Sequence, residues 1–129
     1  MNPRRTLVFY ISGHGFGHAA RTTQLIAELA RRRPALRIVV RTQVPEWFLR
    51  AALGDHVEIV RGQTDTGVVQ LDSLSIDEGE TAAQALTFYR AFDDHVSREV
   101  GFLRAERASL VLGDIPPLAF AAEIGRAHV

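Results

Sequence analysis

The side chains best placed to do chemistry lie in Ile11-Ser12-Gly13-His14-Gly15-Phe16-Gly17-His18-Ala19-Ala20-Arg21. Glycine at alternate positions (Gly13, Gly15, Gly17) opens backbone conformations closed to other residues and lets a ligand approach the main chain closely. His14 and His18 add imidazoles that titrate near neutral pH. A helix starting here directs its unpaired N–H groups, and the positive end of its dipole, back at the loop. That combination suits an anionic or polyhydroxylated ligand. At a helix N-terminus the dipole disfavours protonation of His18 and leaves an imidazole able to accept a proton. A base of this kind is usually oriented by a carboxylate, and Asp114 in Gly113-Asp114-Ile115-Pro116-Pro117 is the candidate. The competing account is structural: His18 caps its helix and Asp114 serves its own turn. On spacing alone that account is the simpler one.

Other chemistries fit worse. A phosphate-binding P-loop ends in Gly-Lys-Ser/Thr, and Gly17-His18-Ala19 has neither the lysine nor the hydroxyl. The dinucleotide fingerprint places its third glycine one residue later than Gly17, and it wants an acidic residue after the second strand, where Arg41 stands. Ser12 lacks a nucleophile elbow. His14 and His18 are four apart without the glutamate of a zincin, and His56, His95 and His128 show no ligand spacing, so no metal is expected. Asp65, Asp72, Asp77 and Glu78 can bind sugar hydroxyls, but turn formation and helix capping account for most of them. Asp93-Asp94 reads as a solvated face, and Trp47 and Phe48 read as core.

The elements that must position these groups follow from periodicity. Thr6 to Ile11 is a continuous apolar run, a buried first strand. Ala19 to Arg32 is a helix with Leu25, Ile26, Leu29 and Ala30 as its stripe, closed by Arg31-Arg32-Arg33 and Pro34. Leu36 to Val40 and Val57 to Val60 are further strands, with a short helix after Pro45 between them. Gln63 to Asp77 is a polar connection ending in two capping-box patterns, Ser75-x-x-Glu78 and Asp77-x-x-Glu80. One long helix is expected from there to about Arg107, with Leu86, Tyr89, Phe92, Val96, Val100 and Leu103 on one face and a bend at Gly101. Leu110 to Leu112 is a fourth strand, and a new helix starts at Leu118. Strands alternating with helices predict an α/β, Rossmann-like open parallel sheet with helices on both faces. Ligands of such sheets sit beyond the carboxyl ends of the strands, where both the glycine turn and Gly113-Asp114 fall.

Bulk properties narrow the partners. Fifteen basic residues, all arginine, balance fifteen acidic ones, so no net field draws nucleic acid or a membrane surface. Without cysteine there is no disulfide framework and no thiolate chemistry. Arg4-Arg5 precedes an apolar run too short for an export signal, nothing reaches membrane-spanning length, and cytoplasmic location is the default. The tail Glu123 to Val129 back-translates to a common sequencing-adapter sequence, which predicts a non-native end on an incomplete domain spanning residues 1–122.

Gly13-His14-Gly15-Phe16-Gly17-His18-Ala19-x-Arg21 resembles the opening of the N-terminal domain of GT-B-type glycosyltransferases, in particular the family 28-like group. It looks closest to the glycosyltransferase-like N-terminal region fused to the sugar kinase in plant L-arabinokinases. The likeness continues through Asp65-Thr66-Gly67-Val68-Val69-Gln70-x-Asp72-x-Leu74 and Gly113-Asp114-Ile115-Pro116-Pro117-Leu118-Ala119. It implies an N-terminal, acceptor-side domain of a GT-B fold, facing an absent C-terminal domain that holds a nucleotide-sugar donor. It implies His18 as the base for an acceptor hydroxyl, supported by Asp114. It also implies substrate contacts from Gly13, His14, Gly15, Phe16, Gly17, Arg21, Asp65 and Asp72. Neither a cofactor nor a metal is implied, and this fragment alone should not catalyse transfer. The alternative is a non-catalytic sugar-binding or regulatory module of a sugar kinase.

Overall fold

An unbroken run of β-branched and aromatic side chains favours a strand covered on both faces, and Thr6–Ile11 forms one. In the computed structural model, which describes residues 4–67, 69–72, 74–114 and 116–127, this strand, β1 (Thr6–Ile11), is buried along its whole length. After it come α1 (Gly17–Arg32), β2 (Arg37–Thr42), α2 (Glu46–Leu53), β3 (Glu58–Arg61) and the short strands β4 (Val69–Gln70) and β5 (Ile76–Asp77). The chain continues through α3 (Glu78–Arg90), α4 (Phe92–Ala105), β6 (Ala108–Gly113) and α5 (Pro117–Ala127). His128, Val129, Val68 and Ile115, which entered the sequence argument, lie outside the described residues.

Four strands make one all-parallel sheet in the order β3-β2-β1-β6. The fold is α/β and Rossmann-like, as the alternation of elements implied. Leu7, Phe9, Ile11, Ile38 and Val40 face α1 and α2, packing with Ile26, Leu49 and Leu53. Val8, Tyr10 and Val39 face the other way, against Leu103 of α4 and Ala119 and Ala122 of α5. The chain steps outward from β1 to β3 and then returns to the opposite side of β1 with β6. A topological switch point, the place where ligands of such sheets bind, therefore lies at the carboxyl ends of β1 and β6.

Several expectations are corrected. The long helix is two: α3 ends at Arg90, and α4 starts at Phe92 after a turn at Ala91. Gly101 lies inside α4, which runs through it unbroken. On α3 the buried side chain is Phe88, whereas Leu86 and Tyr89 are half exposed. Phe88 stacks on His95 (ring centroids 4.8 Å) and meets Phe92 edge-on (6.0 Å), so the aromatic residues close the corner between α3 and α4 rather than cover the sheet. On α1 the buried stripe is Ala19, Thr23 and Ile26, with Leu25 exposed. Of the two capping boxes the chain uses Asp77, whose Oδ1 accepts the Glu80 N–H at 2.8 Å. The polar connection after β3 includes a small antiparallel hairpin of β4 and β5.

Candidate functional site

The switch point brings the sequence-distant His18 and Asp114 together. At the end of β6, the Asp114 N–H donates to the Tyr10 carbonyl (3.2 Å), and Asp114 Oδ1 accepts the Ser12 N–H (3.1 Å). The carboxylate is thus fixed across residues 102 positions apart. Its Oδ2 lies 3.7 Å from His18 Nδ1 in the first turn of α1. The Asp114 side chain is mostly buried, while that of His18 is about one-third exposed. A neutral imidazole with Nδ1 turned to the carboxylate leaves Nε2 as proton acceptor. The separation is slightly beyond hydrogen-bond length. Phe16 stands at the N-cap of α1 and makes no side-chain capping hydrogen bond, and no acidic residue stands in the first turn.

A second imidazole–carboxylate pair lies on the same loop. His14 Nε2 is 3.7 Å from Asp65 Oδ1, and the His14 N–H donates to Ser12 Oγ at 3.4 Å. Asp65 reaches this place because the segment after β3 folds back over β1: Thr64 Oγ1 donates to the Ile11 carbonyl at 3.4 Å. Arg98 of α4 steadies the same segment through the Gln63 carbonyl at 3.1 Å. The His14 ring lies against Gly67 so closely that a Cβ there would overlap it.

The glycines divide by cause. Gly15 has φ +76°, in the left-handed region. A Cβ on Gly13 would stand 2.9 Å from the Gln43 Cβ, closer than side chains approach. Gly17 opens α1 with nothing nearby. Phe16, between the two histidines, stacks on Phe48 (4.8 Å) and tilts toward Trp47 (6.2 Å). Trp47, expected in the core, is 67 % exposed, and Phe48 is half buried. Arg21 is exposed one turn beyond His18 on α1. Asp72 is engaged elsewhere: Oδ1 accepts the N–H groups of Leu74 and Ser75, both at 2.8 Å, and these bonds hold its carboxyl below the usual range. It shapes the turn between β4 and β5.

Sequence reasoning missed the buried polar group beneath the site. Arg41, standing where a dinucleotide fold would want an acid, is 7 % exposed and grips Glu99 of α4 through Nε (2.7 Å) and Nη2 (2.8 Å). The Tyr10 hydroxyl donates to Glu99 Oε1 at 3.0 Å, and Arg98 Nε donates to Oε2 at 2.7 Å. Burial by itself would raise the Glu99 carboxyl, but hydrogen bonds from Arg41 and Arg98 hold it below its ordinary value. Burial, then the adjacent carboxylate, pushes the Tyr10 phenol well above its own. The signal was present: Glu99 falls on the α4 stripe with Val96, Val100 and Leu103, and a carboxylate there needs a cationic partner.

A concavity of about 600 Å³ lies at the opposite end of the sheet, between the C-terminal ends of α1 and α2. It is lined there by Arg4, Arg33, Leu53 and His56. It holds neither histidine–carboxylate pair, and ligands of parallel sheets bind at the other edge. Among the described residues, no three His, Asp or Glu side chains are grouped to hold a metal ion, and no helix is long and apolar enough to cross a membrane.

No protein-family model matches the chain, and no solved structure does. Against curated proteins, it is 28 % identical over 115 residues to an L-arabinokinase of Arabidopsis thaliana, covering 86 % of this chain. The chain spans about 11 % of that protein's length. This is a weak similarity to a sugar kinase, carried on a Rossmann-like α/β frame.

Proposed function

We propose that the chain is the acceptor-side lobe of a GT-B-type glycosyltransferase, in which His18 removes the proton from an acceptor hydroxyl. The observation that carries this reading is the 3.7 Å approach of His18 Nδ1 to an Asp114 carboxylate already fixed by the Ser12 N–H, at the switch point of the sheet. Asp114 holds the imidazole with Nε2 facing the hydroxyl and stabilises the imidazolium formed on proton transfer. The nucleotide-sugar donor belongs to a second lobe, and Gly15 and Gly17 let the substrates come near the backbone. A second reading, a non-catalytic sugar-binding module of a sugar kinase, draws on the likeness to L-arabinokinase.

The test is His18→Ala in the full-length polypeptide that carries this chain, assayed for sugar transfer from nucleotide-sugars. General-base loss predicts a turnover drop on the order of 10²- to 10⁴-fold, with an unchanged melting curve because the side chain is partly exposed. Unchanged turnover removes His18 from the chemistry and favours the binding module.

A further inference from the structure

Beside the second imidazole–carboxylate pair, three polar atoms are buried without a hydrogen-bond partner among the described residues: His14 Nε2, Asp65 Oδ1 and Thr66 Oγ1. Native structures rarely leave such atoms unsatisfied, and a hydroxyl, of water or of a ligand, is their natural complement. Asp65 is 8 % exposed, so its carboxylate is a built acceptor rather than a solvated surface charge. At 3.7 Å, the same separation as between His18 and Asp114, His14 and Asp65 stand just beyond direct hydrogen-bond length.

Next along the loop from His14 is an aromatic shelf. Phe16 is 49 % exposed and Trp47 67 %. Phe48 stacks on Phe16 (4.8 Å) and meets Trp47 edge-on (5.9 Å), and the Phe16 and Trp47 planes are inclined at 51°. Adjacent exposed aromatic rings on a soluble surface mark a contact site. A purely apolar partner would leave the three buried polar atoms unsatisfied, and a small ion would make no use of the rings. A sugar ring answers both, with a face of C–H groups and an edge of hydroxyls.

We propose that Phe16 and Trp47 are the stacking shelf, and His14, Asp65 and Thr66 the hydroxyl-reading wall, of a carbohydrate subsite beside His18. The proposal rests on the acceptor reading above and deepens it: the hydroxyl presented to His18 is carried on a sugar ring. Asp65 Oδ1 accepts one hydroxyl proton, while Thr66 Oγ1 and His14 Nε2 engage a neighbouring hydroxyl. Recognition therefore requires adjacent hydroxyls, and neither an isolated alcohol nor a bare aromatic ring suffices.

The chain contains a single tryptophan, so Trp47 emission reports directly on the shelf. The 129-residue chain is titrated with L-arabinose, D-galactose and D-glucose, and with cyclohexanol as a ring lacking the hydroxyl pattern. The expected result is a saturable emission change with at least one sugar and none with cyclohexanol over the same range. Asp65→Asn and Phe16→Ala should each weaken sugar binding by about tenfold, the factor of one lost interaction of roughly 1.4 kcal/mol. Leu25→Ala, on an exposed part of α1, should leave it unchanged. Circular dichroism establishes that each variant is folded. No response to any sugar, an equal response to cyclohexanol, or full affinity in folded Asp65→Asn overturns the subsite. The readout is binding, so it separates from the turnover test: sugar binding with unaffected turnover in His18→Ala refutes the base alone, and the reverse pattern refutes the subsite alone.

Discussion

Replacing Glu99 by alanine should be among the most damaging single changes in the chain. Glu99 has no exposed surface and accepts hydrogen bonds from Arg41, Arg98 and Tyr10. Removing it leaves the Arg41 guanidinium, itself 7 % exposed, with the Arg61 carbonyl and the face of Phe102 in place of a counter-charge. Breaking a buried pair by deleting one partner costs about 3–5 kcal/mol, a large share of the roughly 5–15 kcal/mol that holds a domain folded. With a urea slope of about 2 kcal/mol/M, the unfolding midpoint falls by roughly 2 M. Glu99→Gln, which keeps shape and some hydrogen bonds but not the charge, should lose less and remain folded. Urea titrations followed by Trp47 emission and by circular dichroism measure both variants. The pH dependence has a defined sign. The folded-state pKa of Glu99 lies below its ordinary value, so its contribution is present above the unfolded pKa and is lost as pH falls through the folded one. Wild type should therefore lose more stability than Glu99→Gln on acidification through the carboxylate range. A Glu99→Gln midpoint equal to wild type at neutral pH, or parallel acid profiles, would refute this account of the buried group.

Two further outcomes follow from the site geometry. Asp114→Asn keeps an oxygen for the Ser12 N–H but removes the charge that faces His18, so melting should change little while transfer by the full-length polypeptide falls on the order of 10²-fold or more. Gly67→Ala drives a methyl into the His14 ring and should cost about 1–3 kcal/mol by overpacking; adding His14→Ala should recover most of that loss in thermal melts, and no recovery would place the strain elsewhere.

What could be read from the residues was what local pattern encodes. β1, the glycine turn and α1 follow from an apolar run meeting glycine and then a helical stripe. The meeting of His18 with Asp114 needed one more step, that β6 lies beside β1, which the alternation of strands and helices makes natural but local spacing does not state. The break at Ala91 was hidden because alanine is a good helix former and Leu86, Tyr89 and Phe92 keep helical period across the corner. There the aromatic residues satisfy one another through ring contacts, so the period outlasts the helix. Asp72 was ambiguous for another reason: an aspartate in a turn and an aspartate in a sugar site share a composition, and its two bonds to Leu74 and Ser75, which give it a turn role, come from the fold rather than from local pattern. Trp47 was misassigned because hydrophobicity fixes the preference of a side chain, not which face of a two-turn helix meets the core.

The peptide joining Ile11 to Ser12 anchors nearly every part of this edge of the molecule. The Ile11 carbonyl receives hydroxyls from Thr42 and Thr64, the Ser12 N–H holds Asp114, and the Ser12 hydroxyl takes the His14 N–H. Both histidine pairs are therefore hung from one rigid link at the end of the most deeply covered strand. One link holds both pairs, so a substitution that shifted the Ile11–Ser12 peptide would displace the two together rather than one alone.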